Sequence, residues 1–227
     1  MSSLRRILIM AEMHGRDLLR RHVALGLLVA LPLAFYLASR GSGSKSIVAG
    51  GVGMAFSVSG ATLFSILSSS EVDQRLVLAG YRPLELLLGR VFFLAPLGSA
   101  IAVGFSALMI VGSHPERPWL TFVGVEAVAL LSIPFGLAVG AAVPRELEGT
   151  LVLIGVVGLE LAVDPHSTVA KVLPFYGPQE LISSSLSGHG PIVGPLLLTA
   201  LYGLGLLFLA RVFVSRRVAV TRHARTT

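Results

Sequence analysis

Six apolar stretches, separated by short polar or charged breaks, set the pattern of this 227-residue chain. A helix that crosses a bilayer needs about 20 mostly apolar residues, with a range of roughly 17 to 25. Residues 22–38, 47–68, 91–111, 119–143, 150–163 and 191–214 are read as spans on that criterion; the first is near the lower limit and the fifth falls below it. Pro134 is expected to kink the fourth span, and Asp164-Pro165 to stop the fifth early. Residues 164–190 carry Val169, Val172, Leu173, Phe175 and Leu181, too apolar a set for a free loop. Short re-entrant external helices that complete the outer half of the fifth span are expected there. Ahead of the first span, Leu4, Ile7, Leu8, Ala11 and Leu18 form an apolar stripe, with Arg5, Arg6, Glu12, Arg16 and Arg20 largely off it. That pattern predicts an amphipathic helix over residues 1–21, lying in the membrane interface. A cleaved signal peptide is a poorer reading, because the apolar core starts only at residue 22 and no Ala-x-Ala site closes it.

One interior segment breaks the apolar pattern. Residues 71–90 hold six charges: Glu71, Asp73, Arg75, Arg82, Glu85 and Arg90. Val72, Leu76 and Ala79 recur at helical spacing, which predicts a short amphipathic helix outside the lipid. Gly80 is placed to end it, and Pro83 to open the next helix at its first position. Such a helix is a handle for a soluble partner.

Composition agrees with a membrane domain. The chain is 54% hydrophobic and 13% charged, with mean hydropathy +0.82, where soluble domains carry about 25% charged residues. The fold class expected is an all-α integral membrane protein of six transmembrane helices over 22–217, followed by a basic tail over 218–227. Of the 18 Lys and Arg residues, 14 fall in the termini and in the second and fourth loops. The other four are Arg40, Lys45, Arg117 and Lys171. By the positive-inside rule both termini are cytoplasmic, in a multi-pass protein of the cell (inner) membrane. The net charge of +6 comes from Arg residues that flank spans, so lipid is the expected contact and nucleic acid is not. The absence of cysteine excludes disulfides, thiolate metal sites and a Cys nucleophile.

Inside the membrane, Ala49, Gly53, Ser57, Ala61, Ser65 and Ser69 follow one another every fourth residue, a ridge that lets another helix approach closely. Gly136 with Gly140, and Gly98 with Ala102 and Ser106, repeat the motif. Packing within the chain, a dimer seam and a substrate-facing surface remain open for these residues, with Ser57 and Ser65 on a substrate path. Glu126 and Glu160 are the carboxylates at depth, where ionisable groups are costly. Each is read either as part of a substrate or proton path or as a hydrogen-bonded structural group.

Catalytic chemistry is not expected. Gly41-Ser-Gly-Ser-Lys45-Ser46 lacks the Gly-Lys-Ser/Thr core of a phosphate loop and follows no strand. The six His residues are scattered, which argues against a metal site. Ser183–Ser185 has no Gly-x-Ser-x-Gly context.

The layout resembles the membrane subunit of an ATP-binding-cassette (ABC) exporter of the type-2 permease family, over nearly the whole chain. Ser70-Glu71-Val-Asp-Gln-Arg75, then Gly80, then Arg82-Pro83-Leu84, then Arg90 carry the local likeness, with Arg90 standing where the family usually has Lys. The resemblance implies a permease with no ATPase of its own, binding no cofactor directly, with ATP and Mg on a partner. It implies a homo- or heterodimer of permease halves with two ATPase subunits, and export of a drug, antibiotic or lipid. Glu71, Asp73, Arg75, Gly80, Arg82 and Pro83 would form the coupling helix and its joint. Pro144, Arg145, Glu146 and Glu148 would add a second contact. Replacing Asp73, Arg75 and Arg82 together is expected to uncouple the ATPase. The alternatives are a proton-coupled secondary transporter or channel using Glu126, and a non-transporting membrane scaffold. Secondary transporters often carry internal repeats, and no convincing likeness relates the two halves here.

Overall fold

The computed structural model describes residues 3–20, 22–40, 45–143, 145–164 and 167–223. Among these the chain folds as nine α-helices: α1 (Ser3–Arg20), α2 (His22–Ala38), α3 (Lys45–Ser68), α4 (Ser70–Leu78), α5 (Pro83–Ser113), α6 (Pro118–Ala142), α7 (Glu146–Ala162), α8 (Tyr176–Ser187) and α9 (Val193–His223). A single 3-10 turn, Ala170–Val172, precedes α8.

Among the described residues four helices, α3, α5, α6 and α9, are long and apolar enough to cross a membrane. The other two expected spans, α2 and α7, have 17 residues each. That is about 25 Å at 1.5 Å per residue, somewhat less than a hydrocarbon core of about 30 Å. α5 starts at Pro83, the position expected to open it, and so runs for eight residues before the apolar span read over 91–111. Pro83 presets the first-turn dihedral, and Glu85 at the third position accepts the Arg82 backbone N–H at 3.0 Å. Arg90 therefore lies inside α5 and is 1% exposed, where a loop charge was expected.

α6 is the central helix, buried along 78% of its most apolar stretch, against 11% for α9 at the periphery. α6 packs on α3, α5, α8 and α9. Gly136 of α6 sits on the Ser59 carbonyl and Thr62, and Gly140 sits on Leu63 and Ile66. Any side chain at either glycine would push α3 away. On the other side of α3, Gly53 abuts Pro32 and Phe35 of α2. Gly98, Ala102 and Ser106 of α5 are buried, Gly98 against Ala129 and Ile133 of α6.

α8 runs beside the first turns of α6. Thr121 Oγ1 donates to Ser185 Oγ at 2.9 Å, and Gly124 backs onto the Pro178 carbonyl and Ile182. Gly177 meets the Pro195 carbonyl and Thr199 of α9, and Tyr202 Oη donates to the Val172 carbonyl at 2.7 Å. The segment after α7 is thus packed against two long helices. Pro165 and His166 lie outside the described residues.

Candidate functional site

α4 carries the segment that interrupts the apolar pattern, and it has no buried residue. Glu71, Arg75 and Arg82 are exposed, as are Val72 and Leu78. The half-buried face is Asp73, Leu76 and Val77, so the Val72–Leu76–Ala79 stripe read from the sequence is not the face that packs. Gly80, at φ +93°, stops the helix. Its N–H donates to the Val77 carbonyl and the Tyr81 N–H to the Leu76 carbonyl, both at 3.0 Å. That pair of bonds closes the last turn, and glycine is the residue that reaches this backbone without strain.

Two polar contacts tie α4 to the body. Arg90 Nη2 donates to Asp73 Oδ2 at 2.6 Å and also to Ser69 Oγ, at the break between α3 and α4. Burial raises the Asp73 carboxyl above its ordinary range, while the Arg90 guanidinium beside it pulls in the opposite direction. Asp73 is therefore engaged by Arg90 inside the protein through one of its oxygens. The second contact comes from α1. Arg6 Nη1 donates to the Gly80 carbonyl at 3.0 Å, and its guanidinium sits 5.3 Å from the centre of the Tyr81 ring. Ser3 Oγ donates to Glu85 Oε1 at 2.8 Å, and Arg6 lies 3.7 Å from Glu85 Oε2. Gly89 then lets α1 cross α5 at Met10. Ser3, Arg6 and Glu85 were missed in the sequence; the Arg82-x-x-Glu85 cap before an apolar run was the legible signal for Glu85.

At the same end of the bundle, Arg145 precedes α7 and Nη1 pairs with Glu148 Oε1 at 2.8 Å. Both are exposed, and Pro144 lies outside the described residues. Glu146 instead lines a cavity of about 430 Å³ bounded by α1, α2, α3, α5 and α7. Ser57, Ala61, Ser65 and Ser69, the last four of the six members of the small-residue ladder, form one wall of it. Phe56, Phe64, Phe93 and several leucines supply the apolar remainder. The ladder is thus divided: Gly53 packs on α2, and the next four members face the cavity.

The two carboxylates at depth lie away from this cavity. Glu126, half-buried, accepts Ser99 Oγ of α5. Glu160, 8% exposed, accepts the Phe175 N–H at 2.8 Å and Gln179 Nε2 at 2.9 Å. It thereby ties the end of α7 to the start of α8.

These helices and this surface define a multi-pass membrane protein with a protruding, polar-anchored helix at one end. The sequence profile described as ABC-2 family transporter protein matches residues 30–212, and the chain belongs to that family. It is accordingly the membrane component of an ABC transporter. No individual curated protein matches the chain.

Proposed function

We propose that the chain is the permease of an ABC exporter, moving a hydrophobic or amphipathic small molecule across the cytoplasmic membrane at the expense of ATP hydrolysed on two separate ATPase subunits. The observation that carries this reading is α4, a helix with no buried residue, fastened to the transmembrane body through Arg90 and Arg6. A helix exposed on its outer face and anchored at its joint can receive a push from a docked ATPase. Arg90 passes it to α5, and α1 passes it along the interface. Arg145 and Glu148 provide the second, smaller contact.

In this reading α2 and α7 also cross, giving six spans with both termini cytoplasmic. The packing of α8 against the outer turns of α6 and α9 supports re-entrant helices that finish the span begun by α7. A second permease half, identical or related, completes the transporter. The cavity lined by Ser57 and Ser65 is the place where cargo first meets the protein. Its volume falls within the roughly 300–1,000 Å³ of small-molecule sites. Glu160 serves packing, because both of its oxygens accept hydrogen bonds away from the cavity. Glu126 also lies away from the cavity, with one oxygen accepting from Ser99 and the other buried without a partner.

The test uses the permease co-purified with its ATPase and reconstituted in liposomes. Replacing Glu71, Arg75 and Arg82 together with alanine is expected to abolish cargo-stimulated ATP hydrolysis while leaving the melting temperature of the permease unchanged. Asp73 is left out of that set because its loss would strand Arg90. Unchanged stimulation would sink the docking role of α4.

A further inference from the structure

We propose that the cavity bounded by α1, α2, α3, α5 and α7 takes amphipathic molecules that carry a protonated amine. The apolar body lies among the phenyl and leucine side chains, and the ammonium lies at Glu146. The proposal rests on the permease reading above and names the chemical class of its cargo.

Hydrogen-bond accounting in the wall points to a donor ligand. Ser57 Oγ donates to the Met54 carbonyl at 3.3 Å, Ser69 Oγ to the Ser65 carbonyl at 2.6 Å, and Thr150 Oγ1 to the Glu146 carbonyl at 2.8 Å. In these three the hydroxyl proton is committed to a backbone carbonyl, so they offer a ligand only oxygen lone pairs. Ser65 and Ser68, which also line the cavity, are able to accept as well as donate. Ser69 also accepts from Arg90, which leaves Ser57, Ser65, Ser68 and Thr150 as hydroxyl acceptors on the wall. Glu146, on the rim, is an acceptor when ionised. Neither Arg145, which pairs with Glu148, nor Arg90, which pairs with Asp73 through Nη2, lines the cavity. His14, the other titratable group on the wall, already engages another group. Phe56, Phe64 and Phe93 present ring faces or edges to the same space, and aromatic faces attract cations. A cavity with acceptors, one carboxylate and aromatic rings favours an ammonium over a neutral or anionic head.

Binding is measured without ATPase, on the full chain in nanodiscs of neutral phosphatidylcholine. The probes are dansylcadaverine, a primary ammonium, and its neutral N-acetyl derivative with the same fluorophore. The ammonium form is expected to bind roughly ten-fold more tightly, the scale of one charge-assisted hydrogen bond. Glu146→Gln should remove that preference by weakening the ammonium form alone. Gly60→Leu should abolish binding of both, because Gly60 lines the cavity and a side chain there meets open space. Equal affinities in the wild type, or a preference that survives Glu146→Gln, would overturn the ligand class. Binding that survives Gly60→Leu would assign the probes to lipid or another surface and overturn the site. Either failure with ATPase coupling intact leaves the permease reading standing, so the two are separable.

Discussion

Arg90 is the residue on which the joint turns. A guanidinium that is 1% exposed needs an anion, and Asp73 supplies it from a helix that otherwise has little hold on the body. Breaking a buried pair by removing one partner is costly, so Arg90→Met is expected to destabilise the folded chain by about 3 kcal/mol. Thermal unfolding in detergent measures it. The sign of its pH dependence follows from Asp73. Burial raises that carboxyl in the fold, so its favourable contribution is complete below the ordinary carboxylate range and is lost as pH rises through the raised value. Arg90 opposes that loss, and in Arg90→Met nothing does. The deficit of the variant is therefore expected to be largest at neutral pH and to shrink on acidification toward about pH 5. A deficit independent of pH would mean that Asp73 is not the stranded charge.

Between elements, glycine-permitted crossings and one polar clasp decide the geometry. Gly136→Val would drive methyl groups into the Ser59 backbone carbonyl, which cannot rotate away. A cost of about 3 kcal/mol is expected, at the upper end for overpacking, with separation of α3 from α6. Gly155→Ala is the control, since a methyl there meets nothing and alanine favours the helix; its melting temperature should not fall. At the clasp, Glu85→Ala removes the acceptor of the Ser3 hydroxyl and the Arg82 N–H. Limited proteolysis is expected to cut within α1 faster in that variant. The existence of α1, α4 and the turn at Gly80 was legible in the sequence, because apolar spacing and turn residues are local signals. That α1 grips the α4–α5 joint was not legible, because Ser3 and Glu85 are 82 positions apart.

At the scale of the molecule, the two ends of the bundle differ in character. One end gathers α1, α4 and the α6–α7 link with most of the arginines, and the other holds α8. The absence of cysteine makes this arrangement directly testable, since any introduced cysteine is the only thiol. Leu78 and Val172 are both well exposed, at 58% and 69%, and lie toward opposite ends. With a membrane-impermeant maleimide, Leu78→Cys is expected to label only from the cytoplasmic face and Val172→Cys only from the outer face. Labelling of both from one side would reject the topology. Family membership was also within reach of the sequence, since the order of span, charged helix, glycine and proline runs along the chain itself.

What the amino-acid sequence determined by itself is the set of helices, their apolar character, the charged segment at 71–90 and the family. Each of these is written in neighbouring residues, through helical periodicity, proline and glycine positions, and the distribution of arginine. Only the tertiary structure decided that Arg90 is buried in α5 and that Asp73 faces inward. It alone divided the small-residue ladder between a packed seam at Gly53 and a cavity wall at Ser57–Ser69, and drew Glu146 to the rim of that cavity. Those outcomes depend on which helix lies against which. A residue four positions from its neighbour on a helix has the same local sequence signal whether it meets a phenylalanine or an empty space.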